Sequence, residues 1–245
     1  MPIIYLSPST QEFNPYVTTG NEDYWMNRLA DTMEPILTAS GIAWVRNTPD
    51  MTAASSIRAS NAGIYDLHLA LHSNASGGGM PGRNRGIIAF YFPSSSQGQR
   101  AAQLIAENLK PIYPLPNLVR AEPTTTLGEV RRVRAPAVLL ELGFHDNDQD
   151  ANWITANIHP AAEAIVLALT EFFSLPFFPD SHPEPGRVQY AGGAVSVYDR
   201  PAFTTPKAFL YDGAPVTILN RFEDWALIRF GGELGFLPAE FLSED

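Results

Sequence analysis

Cysteine is absent from this 245-residue chain, which excludes disulfide bridges, thiolate metal ligands and a cysteine nucleophile. Basic residues are scarce: 16 Lys and Arg stand against 26 Asp and Glu, which gives a formal net charge of -10. A nucleic-acid partner is therefore not expected, because phosphate contacts require a basic surface. No run of residues approaches the roughly 20 apolar positions that cross a bilayer, so we expect no membrane insertion.

Hydrophobic residues make up 45% of the chain, which is enough for a full core. Up to residue 173, apolar runs of strand length alternate with segments of helical spacing. This alternation predicts an α/β domain with a doubly wound, mostly parallel sheet and helices on both faces. Strands are predicted at residues 3–6, 42–46, 66–71, 87–92 and 137–142, and helices at residues 22–40, 51–62, 97–109 and 148–173, the last interrupted at Pro160.

The sequence changes character after residue 173. Four prolines between residues 174 and 186 indicate a stiff linker. Beyond it, short apolar runs alternate with Gly-Gly, Asp-Gly and Glu-Asp turns, which is typical of a small all-β barrel. We therefore predict a first domain over residues 1–174, a proline-rich linker over 175–187 and a second domain over 188–245.

Two apolar runs in the first domain end in titratable residues, His72 and Glu141. Ligands of open α/β sheets bind just beyond the carboxyl ends of the strands. A neutral imidazole binds a metal ion and a carboxylate moves protons, so the pair indicates a metal-assisted hydrolase. The alternatives are a structural histidine and a glutamate paired with a neighbouring arginine; the available arginines are Arg131, Arg132 and Arg134.

Glu22 begins a predicted helix and is either a metal ligand or a carboxylate favoured by the helix dipole. His68 lies four residues before His72, about 13 Å away along a strand, so the two cannot share one ion and His68 is expected to be structural. A glycine-rich loop over residues 76–86 is expected to border the substrate groove, or else to be a solvated loop. The candidates for substrate contact are Asn74, Arg83, Arg85 and His145.

Three short motifs carry a family resemblance over roughly residues 3–173: Asn21-Glu22, Leu71-His72-Ser73-Asn74-Ala75 and the segment 136–147, Pro-Ala-Val-Leu-Leu-Glu-Leu-Gly-Phe-His-Asp-Asn. In this order, they resemble the zinc-dependent N-acetylmuramoyl-L-alanine amidases that degrade bacterial cell walls. The resemblance implies peptidoglycan as substrate and one zinc ion. It also implies that Glu22 and His72 are zinc ligands and that Glu141 is the catalytic acid and base.

The sequence departs from the pattern at the first zinc ligand, which is a histidine after the first strand in the family. No histidine precedes His68, and Thr10 stands roughly at the ligand's place. A neutral threonine is a poor zinc ligand, whereas a carboxylate oxygen is a normal one. Glu12 is therefore the predicted substitute ligand, and Gln11 is the runner-up.

The second domain resembles a bacterial SH3-like domain. The resemblance is carried by residues 193–198, 212–219, 224–230, 235–237 and 241–242. Such domains accompany cell-wall hydrolases, and the resemblance implies binding to wall peptides. Trp225 is equally explained as a core residue or as a platform for a ligand.

Two other functions fit the same sequence. The missing histidine favours a non-catalytic wall-binding protein on a degenerate amidase fold. A related zinc peptidase is the other, although no His-Glu-x-x-His motif is present. The first residues show no secretory signal, so an enzyme acting on the wall is expected to leave the cell by phage lysis, sporulation or non-standard secretion. The sequence predicts no oligomeric state.

Overall fold

The structure is a computed structural model, and it describes residues 1–244. Residues 3–34 and 44–172 form one compact unit, and the remaining described residues form a second. The predicted division placed the C-terminal boundary within two residues of this one. It missed that residues 1–2 and 35–43 group with the second unit, because nothing in the local pattern of those segments distinguishes them from the first domain.

The chain forms thirteen described strands and six α-helices. The strands are Ile3–Pro8 (β1), Ala43–Arg46 (β2), Leu67–Asn74 (β3), Ile87–Tyr91 (β4), Val119–Pro123 (β5), Ala137–Phe144 (β6), Glu184–Val188 (β7), Ala194–Val197 (β8), Ala208–Tyr211 (β9), Pro215–Phe222 (β10), Trp225–Phe230 (β11), Glu233–Pro238 (β12) and Leu242–Glu244 (β13). The helices are Glu22–Ala39 (α1), Ala53–Ala62 (α2), Ser96–Leu109 (α3), Gly128–Arg131 (α4), Asp148–Ala156 (α5) and Ile158–Phe173 (α6).

The first unit contains a six-stranded sheet in the order β2-β1-β3-β6-β4-β5. Strands β1, β3 and β6 are parallel, which agrees with the predicted mostly parallel sheet. Strand β4 runs antiparallel to β6, and β5 is parallel to β4. The chain enters β4 through a loop without a helix, so the crossover that makes neighbouring strands parallel does not form there. Strand β5 was not predicted, because Arg120 and Glu122 interrupt its apolar pattern.

The two central strands are longer than predicted. Strand β3 continues to Asn74 and β6 continues to Phe144. His72 and Glu141 therefore lie inside their strands rather than at the tips, and they are direct partners in the β3–β6 register. Side chains of paired residues on neighbouring strands lie on the same face of a sheet. The register thus brings the two predicted residues together.

The predicted helix over residues 148–173 is divided into α5 and α6. The break falls at Asn157, whose backbone N–H bonds to Ile154, and not at Pro160. Pro160 lies in the first turn of α6, where a helix does not use the missing N–H. The proline therefore marks the start of the second helix and not the interruption itself.

The part of the second unit that follows α6 is built from β-strands. A five-stranded sheet in the order β12-β11-β10-β7-β13 is joined by the two-stranded pair β8-β9, and every pairing described is antiparallel. Its core includes Val188, Val197 and Ile228. The predicted linker over 175–187 overlaps β7, so the sheet begins earlier than the prolines indicated. Within residues 1–244, no helix is both long and apolar enough to cross a bilayer.

Candidate active site

Glu22 and His72 form the centre of the site. Glu22 is 1% exposed at the start of α1, and its Oε1 lies 2.8 Å from His72 Nδ1. Asn14 Nδ2 donates to the other carboxylate oxygen at 2.6 Å. Burial alone would raise the pKa of Glu22, but the hydrogen bonds from His72 and Asn14 outweigh it and hold this pKa below its usual value. The buried carboxylate is thus fully partnered, as its desolvation requires.

Gln11 is the third side chain at this point. Its Nε2 lies 3.3 Å from His72 Nδ1, and its Oε1 accepts a bond from Asn14 Nδ2 at 3.2 Å. Glu12 is exposed, since the chain turns after Gln11, and its backbone carbonyl accepts a bond from Asn21. Among the contacts of residues 1–244, the structure therefore brings the runner-up Gln11 to His72 and does not bring Glu12 there.

Glu129 approaches the same histidine from the other side of the ring. Its Oε2 lies 3.2 Å from His72 Nε2, while its Oε1 accepts from Ser7 Oγ at 2.6 Å and lies 3.3 Å from His68 Nε2. Burial raises the pKa of Glu129, but the adjacent His68 ring and the hydrogen bond from His72 overcome this effect and lower it to about 2. Glu129 was not predicted from the sequence, because it lies in the four-residue helix α4, which has no motif or periodic pattern that indicates a functional residue.

His72 is therefore enclosed between two carboxylates. Burial lowers the pKa of His72, but the hydrogen bonds to Glu129 and Glu22 raise it to about 10. In the metal-free protein both ring nitrogens thus carry a proton at neutral pH and donate to the carboxylates. A metal ion bound at Nδ1 would replace one of these protons.

Glu141 lies opposite His72 on β6, and its side chain is half-buried. Its Oε2 is buried, and no hydrogen bond to this atom occurs within the described part of the chain. Burial raises the pKa of Glu141 to about 7; the charge on His72 opposes this shift and Glu22 adds to it. The alternative of an arginine partner is wrong for Arg134, which bonds instead to Asn61. A carboxyl group that titrates near neutrality is suited to accept and return a proton.

Asn74 and His145 support the end of β3. The backbone carbonyl of Asn74 accepts from the N–H of His145 at 2.8 Å. His145 is buried, its Nδ1 lies 2.9 Å from the carbonyl oxygen of Ser73, and its ring stacks on Tyr16. The Oδ1 of Asn74 accepts from the backbone N–H of Ala75 at 2.8 Å. Both residues are thus engaged in holding the strand end, and their contact with substrate stays a prediction.

The two arginines of the glycine-rich loop have different environments. Arg83 is exposed. Arg85 Nε donates at 2.8 Å to Asp150, a fully buried carboxylate that also accepts from Tyr113 and from the backbone N–H of Gly86. Arg85 therefore anchors the loop to α5. Arg83 has a side chain open to a ligand, and its predicted role is untested.

A cavity of about 290 Å³ opens beside the histidine. Its lining includes the polar side chains of Gln11, His72 and Glu129 and the apolar side chains of Phe13 and Met51. Phe13 is 76% exposed, so an apolar surface stands next to the polar centre. The cavity thus offers a substrate both a wall to pack against and access to the candidate ligands.

Whether a metal ion fits this site depends on the side chains that could bind it. Within the part of the chain that the structure describes, no group of three or more His, Asp or Glu side chains gathers into a metal site. Glu22 and His72 nevertheless converge, and Gln11 adds an amide whose oxygen and nitrogen are exchanged by a simple flip. One imidazole, one carboxylate and one amide oxygen fit a zinc ion, with the amide as the weakest ligand.

The sequence profile of a known family matches most of the first unit: the N-acetylmuramoyl-L-alanine amidase profile matches residues 16–171. The chain belongs to this family. Its members are peptidoglycan hydrolases, which confirms the predicted class of function. Among curated protein sequences, none matches the chain closely enough to count as a relative.

Solved structures of amidases share the fold. The catalytic domain of CwlV from Bacillus (Paenibacillus) polymyxa var. colistinus is 17% identical, with a TM-score of 0.62, 72% of this chain covered and 100% of that one. The CwlD amidase from Clostridioides difficile, in complex with the GerS lipoprotein, is 16% identical, with a TM-score of 0.62 and coverages of 71% and 99%. The catalytic domain of the CD27L endolysin, which targets Clostridia difficile, is 20% identical, with a TM-score of 0.57 and coverages of 70% and 97%.

The buried, unpartnered Oε2 of Glu141 predicts a pH-dependent loss of stability in the metal-free protein. A folded-state pKa of about 7 against an ordinary 4.5 means that the stabilising protonated form is fully present below pH 4.5 and lost as the pH rises through 7. Glu141→Gln removes this dependence, so the variant should gain up to about 3 kcal/mol over the parent between pH 5 and pH 8.

Urea unfolding of both proteins in the presence of a chelator measures the difference. The exposed Glu107→Gln serves as the control and should follow the parent at every pH. A difference between Glu141→Gln and the parent that does not change with pH would contradict the raised pKa.

Proposed function

We propose that this chain hydrolyses the amide bond between N-acetylmuramic acid and L-alanine in peptidoglycan with the help of one zinc ion. Glu22, His72 and the amide of Gln11 would hold the ion. The observation that carries the proposal is the convergence of the Glu22–His72 pair, at 2.8 Å, with the half-buried Glu141 on the neighbouring strand, whose buried Oε2 has no hydrogen-bond partner among the described residues. Family membership supplies the substrate class.

The bound zinc ion would polarise the scissile carbonyl and bring the pKa of its water near ~7. Glu141 accepts the proton at its Oε2 as the water oxygen bonds to the lactyl carbonyl carbon. Glu141 then returns this proton to the L-alanine nitrogen as the C–N bond breaks. The apolar wall of the neighbouring cavity, which includes Phe13 and Met51, would orient the substrate.

Replacing Glu141 with Gln tests its role in proton transfer. The amide cannot accept the proton, so turnover of purified peptidoglycan should fall by at least about 10²-fold. Zinc content should stay equal to that of the parent, because Glu141 is not a proposed ligand. Release of free L-alanine N-termini and metal analysis of the same samples are the two measurements. Retained turnover in this variant would disprove the assignment.

The third ligand can be tested by restoring the missing imidazole. Gln11→His should bind zinc more tightly than the parent, because an imidazole nitrogen is a stronger zinc donor than an amide oxygen. Gln11→Ala should bind zinc more weakly. Glu12→Gln should leave the dissociation constant unchanged, since the Glu12 side chain is exposed. Competition with a chromophoric chelator measures all three, and a loss confined to Glu12→Gln would support the ligand first expected from the sequence.

We further propose that the second unit is an SH3-like barrel that binds wall peptides. Phe203 and Trp225 pack with ring centroids 4.9 Å apart and line a cavity of about 490 Å³. The same cavity is lined by Glu223, Asp224 and Glu240, none of which forms an ion pair with another described residue. Aromatic faces among unpaired carboxylates suit a peptide with a free ammonium group.

Phe203→Ala should weaken binding to whole cell walls without changing the rate on a small soluble muramoyl-peptide. Phe203 is 77% exposed, so its truncation removes contact surface without opening the core. Phe209→Ala is the matched control, because Phe209 is also exposed but does not line the cavity. Co-sedimentation with purified walls measures the binding. Equal binding of the two variants and the parent would exclude this cavity as the wall site.

A non-catalytic wall-binding protein is the second candidate, and the glutamine in place of the first histidine is the observation that favours it. A parent protein that binds walls, takes up no zinc and releases no L-alanine N-termini would establish it. Cleavage of peptide bonds in place of the muramoyl amide would instead indicate a zinc peptidase. The substrate class places the proposed activity outside the cytoplasm.

A further inference from the structure

Glu129 is a buried carboxylate that the reaction proposed above does not use. It is 5% exposed, and its two oxygens divide their contacts between His72 Nε2, His68 Nε2 and Ser7 Oγ. Buried ionic groups contribute little to stability, and well-packed apolar side chains often replace them without loss. The presence of a charge here therefore points to a task at the site.

The geometry of the His72 ring defines this task. Nδ1 lies 2.8 Å from Glu22 Oε1 and 3.3 Å from Gln11 Nε2, so this nitrogen faces the candidate metal position. Nε2 points the other way and lies 3.2 Å from Glu129 Oε2. An imidazole that binds a metal through one nitrogen carries its hydrogen on the other. A carboxylate that accepts this hydrogen fixes the ring orientation and strengthens the ligand.

We propose that Glu129 positions the His72 ring. By accepting the Nε2 hydrogen, Glu129 would hold the Nδ1 lone pair toward the metal and strengthen this ligand, which would compensate for the weak amide ligand at Gln11. The inference rests on the proposed zinc site. Glu129 does not touch the substrate bond or the ion, and it acts through the histidine.

A chain of buried polar groups keeps Glu129 in place. Ser7 Oγ donates to Oε1 at 2.6 Å and receives a bond from Asn47 Nδ2 at 3.4 Å. Asn47 Nδ2 also donates to the carbonyl of Pro8 at 3.0 Å and to Ser56 Oγ at 3.0 Å. Strand β1 and helix α2 thus fix one carboxylate oxygen, which leaves the other oxygen in a set position against His72.

Two variants test the proposal. Glu129→Gln keeps the shape of the side chain and removes its charge, while Glu129→Asp keeps the charge but is shorter by about 1.5 Å and cannot reach both histidines. Each should weaken zinc binding by about 10- to 100-fold in chelator competition, as loss of such a carboxylate does at other metal centres. Glu107→Gln, which removes an exposed charge, should bind zinc as the parent does.

Stability and coordination are measured separately. The melting temperature of the metal-free variants reports folding, and the visible absorption of the Co(II)-loaded proteins reports ligand geometry and should change in Glu129→Gln. If Glu129→Gln does not fold, the zinc dissociation constant and the Co(II) spectrum of Glu129→Asp test the proposal instead. If the variants fold and their zinc dissociation constant and Co(II) spectrum are unchanged, the role of Glu129 is disproved, while the proposed zinc site is not affected. A parent that takes up no zinc would overturn the zinc site itself, and this inference with it.

Discussion

The contact between Glu22 and His72 is the interaction on which the candidate site depends. It joins the first residue of α1 to the central strand β3, and it places a carboxylate and an imidazole 2.8 Å apart in a buried position. Neither group is stable there alone, because each loses its hydration on burial. Asn14 donates to the second oxygen of Glu22, Glu129 accepts from the second ring nitrogen of His72, and Gln11 lies beside the contact between the pair.

The sheet supplies the remaining geometry. Parallel pairing of β3 with β6 sets His72 opposite Glu141, so the strand register determines which carboxylate faces the histidine. A shift of one residue would turn Glu141 to the opposite face of the sheet. The position of Glu141, the proposed acid and base, is thus set by backbone pairing. Two of the proposed metal ligands are placed differently: Gln11 lies in a loop and Glu22 lies at the start of a helix. The two halves of the site are fixed by different parts of the fold.

Much of this arrangement was predictable from the sequence. Glu22, His72 and Glu141 each stand at the edge of a clear periodic segment, and the short motifs around them resemble one family. Gln11 was ranked below Glu12 because ligand chemistry alone favours a carboxylate. The residue types in a turn do not predict the direction in which each side chain points. Glu129 gave no signal, since it lies 57 residues from His72 and contacts it only through tertiary folding. Strand β4 was predicted, but its antiparallel direction gave no local signal for the same reason, because strand direction depends on long-range pairing.

A zinc centre completed by Gln11, as proposed above, would respond to its surroundings differently from a centre completed by a histidine. An amide oxygen leaves a divalent ion more readily than an imidazole does, so a centre completed by Gln11 would fill and empty as the free zinc outside the cell rises and falls. A wall-degrading activity governed in this way would be graded by mineral supply, and a cell starved of zinc would keep its wall intact.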